Sequence, residues 1–241
     1  MAENGTLYIV ATPIGNLEDI TLRAVRVLKE VEAIACEDTR QTVKLLNKYE
    51  IRKRLISYFQ PRERQRVPEI ISLLKAGKDV ALVSDAGTPG ISDPGFPLIR
   101  EALKEGIRVV PVPGPSAFAA ALSASGLPTH RSLFAGFPPP KSEATRKLLV
   151  SLKDEEATLI FYLPVRRIAE FLHLTLATLG DRRIVIAREI TKIHEEFIRG
   201  TARELFEAVS KRTFKGEATV LIEGRARERR PKDPHAQETR I

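Results

Sequence analysis

Short apolar runs rich in Val, Ile and Leu recur along the chain, each followed by an amphipathic stretch, and that alternation leaves few folds open. In the first half it predicts strands over 6–11, 33–36, 55–58, 79–84 and 107–110. Helices fall between them over 20–31, 40–49, 66–76 and 95–105. The run Val80-Ala81-Leu82-Val83 has no polar residue to turn toward water, so this strand is buried on both faces, as in a parallel sheet covered by helices. Asp19 is placed to cap the first helix, and Gly77 and Gly106 sit where helices should stop. The second half predicts strands over 132–135, 157–162, 183–188, 195–199 and 217–222, with helices over 142–152, 164–178 and 201–211. The close pair 183–188 and 195–199 reads as a hairpin and makes the second sheet mixed. The fold class expected is α/β, built as two α/β domains with a ligand cleft between them. The boundaries read as 1–113, a hinge helix and linker over 114–128, a second domain over 129–224, and a basic, disordered tail over 225–241.

Hydrophobic residues at 43% and charged residues at 29% are ordinary for a soluble globular chain. No run approaches the roughly 20 apolar residues that span a bilayer, and no basic flank precedes the first apolar run as in a secretory signal. The single cysteine, Cys36, has no internal disulfide partner, and the four histidines lack metal-ligand spacing. No metal is expected, and the compartment is expected to be the cytoplasm. The net charge of +8 is concentrated. Residues 44–66 hold eight basic and two acidic side chains, and 225–241 hold six and three, a pattern suited either to phosphate backbones or to a merely solvated face.

Four segments carry candidate chemistry. Ala11–Leu17 stands where a dinucleotide fingerprint would, but it has one of the three glycines and Pro13 lacks an N–H, which argues against a nicotinamide oxidoreductase. Ser84–Gly95 packs three glycines and two prolines into its last nine residues, more than a turn requires. Its Asp85 and Asp93 favour a ligand with cationic or hydroxyl groups over a phosphate, and a sulfonium cofactor meets that demand. Pro113-Gly114-Pro115-Ser116-Ala117 opens a helix with tiny residues, as either a ligand approach or a tight packing seam. Ala187–Glu196 gathers Arg188, Lys192, His194 and three glutamates, where Lys192 and the glutamates could orient or deprotonate a hydroxyl, or line a solvated hairpin turn.

The segments ATPIGNLEDIT, CEDTR, SDAGTPGISDPG, PGPSA, GFPPPK and AREITKIHEE occur in this order from about Leu7 to Gly224. In this the chain resembles the small-subunit ribosomal RNA methyltransferase I group, a branch of the tetrapyrrole methylase superfamily (class III S-adenosylmethionine methyltransferases). The resemblance implies two α/β domains, S-adenosylmethionine in the cleft between them, a homodimer, and methylation of a cytidine ribose 2′-hydroxyl in 16S ribosomal RNA, met either as RNA or within the 30S subunit. Carried over by motif, Pro13, Gly87, Thr88, Pro89, Ile91, Ser116 and Ala117 should meet the cofactor. Asp85 joins them from the same loop, and Leu163, Ala187 and Ala218 should close over the adenine. Thr88 stands where relatives carry an aspartate. Some members of the group continue into a small C-terminal domain, whereas this sequence ends at Ile241 with a basic tail. RNA grip is then expected from residues 44–66, the tail and a dimer partner.

For transfer to a weakly acidic ribose hydroxyl, the candidate catalytic residues are Glu37, Asp38, Arg40 and Asp85 from the first domain and Lys192 and Glu195 from the second. Asp38 or Asp85 takes or relays the proton, while Arg40 or Lys192 stabilises the oxygen or holds a phosphate. The rival readings are a porphyrin-type methyltransferase of the same fold and a non-catalytic RNA-binding protein.

Overall fold

The computed structural model describes residues 3–210 and 216–226. The first half forms strands β1 (Leu7–Val10), β2 (Ala33–Cys36), β3 (Arg54–Ser57), β4 (Val80–Val83) and β5 (Val109–Val112). Helices α1 (Leu22–Glu30), α2 (Thr39–Lys48), α3 (Glu63–Lys75) and α4 (Phe96–Lys104) alternate with them. The strands pair in parallel in the order β3-β2-β4-β1-β5. Successive side chains of a strand face opposite sides, and the apolar runs fill both. Ala33, Ala35, Val80 and Leu82 meet Ile70 and Leu74 of α3 and Leu98 of α4. Ile34, Cys36, Ala81 and Val83 meet Val27 and Leu28 of α1 and Leu45 of α2. Because all five strands run the same way, the loops that follow β1, β2, β4 and β5 gather at one edge of the sheet.

The second sheet holds β6 (Ser132–Gly136), β7 (Thr158–Pro164), β8 (Arg183–Arg188), β9 (Glu196–Thr201) and β10 (Glu217–Ile222). Its order is β6-β7-β10-β8-β9, with β6 parallel to β7 and every other pair antiparallel. One face carries Leu159, Phe161, Ile184, Ile186, Val220 and Ile222 against α6 (Ser142–Ser151), α7 (Ile168–Leu179) and α8 (Ala202–Val209). The other face carries Ile160, Val185, Ala187 and Leu221, packed on α5 (Ala117–Ser123) through Ala121. The small residues of α5 therefore let a helix lie close on the second sheet. Among the described residues no helix is long and apolar enough to cross a membrane.

The structure departs from the sequence reading at a few ends, each for a local reason. The cap of α1 is Thr21, whose hydroxyl accepts from Ala24 N–H at 3.1 Å, and Asp19 instead closes a 3₁₀ turn capped by Asn16. Strand β5 includes Pro111, which a sheet edge tolerates because the missing N–H costs no ladder bond. Helix α3 begins three residues earlier than expected, with Pro68 in its interior. Strand β7 runs on to Pro164, and a 3₁₀ turn over Val165–Arg167 precedes α7. The end of the helix expected over 201–211 and almost all of the expected disordered tail lie outside the described residues.

Candidate active site

A cavity of about 300 Å³ lies where the carboxyl edge of the first sheet faces the second. The first sheet contributes Ile14 after β1, Glu37 after β2, the loop from Asp85 to Asp93 after β4, and Ser116 and Ala117 at the start of α5. The second contributes Tyr162 and Leu163 of β7, Ala187 of β8, Glu217, Ala218 and Thr219 of β10, and the turn from Glu189 to Lys192. Register explains why these strand residues meet: Ala218 lies opposite Leu163 on one side of β10, and Thr219 lies opposite Ala187 on the other.

The long glycine-proline loop is held by the β1 turn. Thr12 N–H donates to Gly87 C=O at 2.8 Å, Gly87 N–H donates back to Thr12 C=O at 3.0 Å, and the buried Thr12 hydroxyl donates to Ser84 C=O at 3.0 Å. Gly87 takes φ +81, in the left-handed region that other residues enter at a cost. Thr88 Oγ1 donates to Pro115 C=O at 3.3 Å, joining this loop to the entry of α5. The two halves touch directly across the cleft. Asn16 N–H donates to Thr191 Oγ1 at 3.0 Å, and a Cβ on Gly15 would stand 2.6 Å from Lys192 Cγ. Phe118 N–H donates to Tyr162 Oη at 3.2 Å.

The electrostatics are one-sided. Burial pushes the Asp93 carboxyl up to about 6, with Glu37 adding repulsion and a Ser84 hydrogen bond opposing it. Burial likewise raises Glu37, with Asp85 and Asp38 reinforcing the effect, and it raises Asp85 despite the Asp38 N–H bond at 2.9 Å. Glu217 adds a further negative charge near Asp93. Lys192 Nζ, the one lysine in the lining among the described residues, is paired with Glu189 Oε1 at 3.0 Å. Carboxylates crowded on a half-buried wall are strained when all are ionised, and a bound cation relieves that strain. Leu163, Ala187, Ile190 and Ala218 supply an apolar wall beside them, of which Leu163 and Ala218 also pack into the core under α6, α7 and α8. The arrangement suits a ligand that carries positive charge at one end and a flat apolar body at the other.

Of the residues singled out from sequence, Glu37, Asp85, Gly87, Thr88, Ile91, Ser116, Ala117, Leu163, Ala187, Lys192 and Ala218 line the cavity. Pro13 and Pro89 flank lining residues without forming the wall. Asp38, Arg40 and Glu195 are turned to other tasks. Asp38 caps α2 by accepting from Arg40 N–H at 2.8 Å, and its carboxylate chelates the Arg40 guanidinium at 3.0 and 2.7 Å. These hydrogen bonds from Arg40 hold the Asp38 carboxyl near 2, which makes it a poor proton acceptor. Arg40, 87% exposed at its side chain, spends its planar face on that pair. Glu195 closes its own turn by accepting from Thr191 N–H at 2.7 Å. Sequence reasoning did not select Tyr162, Phe137, Glu217 or Thr219 for the site, and it used Asp93 with Asp85 to argue for a cationic ligand without counting it among the site residues. A tyrosine breaking the apolar run of β7 was the available signal for Tyr162; Phe137 lay in the GFPPPK segment, which carried the resemblance without giving the ring a role.

A family model described as tetrapyrrole (corrin/porphyrin) methylases matches residues 6–205. A ribosomal RNA small subunit methyltransferase I of Halalkalibacterium halodurans is 48% identical over 231 residues, covering 96% of this chain and 80% of that protein. The protein of the same name from Thermotoga maritima is also 48% identical, over 92% of this chain and 99% of its own length. Among solved structures, a cobalt precorrin-4 methyltransferase superposes with a TM-score of 0.67 at 19% identity, covering 90% of this chain and 94% of that one. The methyltransferase CobJ superposes with a TM-score of 0.69 at 20% identity, covering 91% and 94%. At such identities the structural likeness speaks for the fold alone.

Proposed function

The chain belongs to the tetrapyrrole methylase family, in its ribosomal RNA small subunit methyltransferase I branch, and on that footing we propose that it transfers a methyl group from S-adenosylmethionine to small-subunit ribosomal RNA. The observation that carries the cofactor assignment is the cavity itself, with Glu37, Asp85 and Asp93 on one wall and Leu163, Ala187 and Ala218 on another. The residues present fit the group. Asp85, Gly87, Thr88, Ile91, Ser116 and Ala117 would hold it from the first sheet, with Pro13 and Pro89 stiffening the same two loops. Leu163, Ala187 and Ala218 would take the adenine. When bound, S-adenosylmethionine supplies a methyl group on a positively charged sulfur.

The acceptor in this reading is the 2′-hydroxyl of a cytidine ribose, presented by the assembled 30S subunit to a homodimer of this chain in the cytoplasm. Displacement at the methyl needs the attacking oxygen placed in line, water kept out, and one proton removed. Glu37 and Asp85 line the cavity with their proton affinities raised, so either can accept a proton from the ribose. Asp38 and Arg40, locked in their own ion pair beside the rim, position Asp85 through the Asp38 N–H bond. Lys192 stands on the opposite wall, where its charge stabilises the developing oxyanion. Glu195 shapes the turn that carries it.

The electrostatics make this testable through pH. A free Asp93 carboxyl is protonated below about 6, and a cation at the site favours the ionised form. Affinity for S-adenosylmethionine therefore rises with pH. If the bound cofactor lowers that carboxyl by one unit, the gain between pH 5 and pH 7 is roughly fivefold. Asp93→Asn should flatten the dependence in titration calorimetry; an equally steep profile in the variant would remove Asp93 from the binding field.

RNA grip follows from the basic surface. Arg62 and Arg64 are exposed just before and within the first turn of α3, downstream of the carboxyl end of β3. Arg52 and Lys53 lie at the opposite end of that edge strand, while Arg54 and Arg66 are both paired with Glu69 at 2.9 Å. Of the basic tail, Arg225 is described and pairs with Asp154 at 2.6 Å. Replacing Arg62 and Arg64 with alanine should weaken binding to 30S subunits and reduce the log–log salt slope by about 1.5. An unchanged slope would place RNA elsewhere.

The reading as a whole is tested with tritiated-methyl S-adenosylmethionine and 30S subunits that lack the modification. Label on a ribose of 16S RNA supports it, and label on a base overturns the ribose acceptor. Label on a tetrapyrrole instead of RNA replaces it with the porphyrin-type reading, while cofactor-free RNA binding leaves the non-catalytic one.

A further inference from the structure

An aromatic ring stands half-open at the cavity. Phe137 lines the wall yet remains 53% exposed, and Tyr162, the other aromatic in the lining, is covered further. The position of Phe137 is fixed from two directions. Behind it runs an aromatic ladder: its ring meets Tyr162 edge-on at 5.5 Å, Tyr162 meets Phe134 at 4.9 Å, and Phe134 stacks on Phe118 at 5.0 Å. Along the backbone, Gly136 turns the chain at φ +66 and Pro138, Pro139 and Pro140 follow, each with a restricted φ. Arg167 clamps this stretch by donating to Pro138 C=O at 3.2 Å and to Pro139 C=O at 2.7 Å. A ring held this rigidly needs no ordering when a flat partner arrives.

We infer that Phe137 is the stacking platform for the base of the nucleotide being methylated. The inference rests on the RNA reading above and goes beyond it. A ribose hydroxyl inside a structured RNA enters this half-open cavity most deeply when its nucleotide swings out of the stack. The base then loses its neighbours, and RNA-binding surfaces recover that loss by stacking unpaired bases on aromatic faces. The apolar wall for a cofactor is already furnished by Leu163, Ala187 and Ala218. Phe137 adds an aromatic face at the same cavity, and its exposed half is what an incoming base would cover. Stacking is indifferent to base identity, so the platform sets how tightly the nucleotide is presented, and the base edge is left for other contacts.

The test compares wild-type protein with Phe137→Ala, Phe137→Leu and Phe137→Tyr, using tritiated-methyl S-adenosylmethionine and 30S subunits lacking the modification. For Phe137→Ala, kcat/KM for the subunit should fall about 10- to 100-fold, the range that base–aromatic stacking spans, with most of the change in KM. S-adenosylmethionine affinity by calorimetry should stay within about twofold, well inside one factor of ten. Tyr should restore activity and Leu should not. The platform is overturned if Phe137→Ala keeps wild-type kcat/KM, if Leu rescues as well as Tyr, or if cofactor affinity falls in step with activity. Absence of label on 16S RNA with the wild-type protein overturns the RNA reading and the platform together; label with the wild type and any of those three results overturns the platform alone.

Discussion

Gly87→Arg is expected to yield a folded protein that no longer binds S-adenosylmethionine. Three effects act together. The left-handed φ of +81 costs a side-chain-bearing residue about 1–2 kcal/mol. The guanidinium and its stem would enter a cavity of about 300 Å³ and take the volume of the ligand. Its positive charge would also settle among Glu37, Asp85 and Asp93, where the ligand's own charge is expected to sit. Kd should rise by at least about 10³-fold, roughly 4 kcal/mol. Gly87→Ala separates the backbone from the cavity: an added Cβ would lie 3.5 Å from Ile14 Cγ2, an ordinary contact. The alanine variant should melt somewhat lower and still bind. Calorimetry on both, with circular dichroism to confirm folding, checks the argument. Wild-type affinity in Gly87→Arg would show that the ligand lies elsewhere.

Phe161→Ala should produce the largest loss of stability among single changes near the site. Phe161 is fully buried in the middle of β7, edge-on to Phe171 at 5.1 Å, within the core under α6, α7 and α8. Emptying such a position costs about 3–5 kcal/mol, which in a chain of this size lowers the melting temperature by roughly 10 °C. The next two residues, Tyr162 and Leu163, line the cavity, so cofactor should recover part of the loss by binding only the folded form. Phe137→Ala is the contrast, since a half-exposed ring has far less burial to lose. A melting temperature unchanged in Phe161→Ala would contradict the core as described.

The fold was legible because its signals are local. Runs such as Val80–Val83 and Ala33–Cys36 are apolar on both faces, and only a covered parallel strand satisfies them. Parallel strands place every following loop at one edge, so Ile14, Glu37, Asp85 and Ser116 could be grouped from strand order alone. What was hidden depends on long-range pairing. Strand β10 lies between β7 and β8, so Ala218 meets Leu163 although 55 positions separate them, a register that no local pattern encodes. Charges were harder still. CEDTR shows two acids and an arginine, but not that Arg40 folds back on Asp38 while Glu37 turns into the cavity. Asp93 was in view within the glycine-proline loop; its importance comes from burial beside Glu37, a property of the folded chain. Thr21 displaced Asp19 as the cap of α1 because Asp19 is itself the last residue of the 3₁₀ turn over Leu17–Asp19.

Titration of the purified protein with S-adenosylmethionine in a calorimeter tests the central claim most directly. The expected result is saturable heat at one site per chain, lost in Gly87→Arg. A flat trace with correctly folded wild-type protein would contradict the assignment of the cleft.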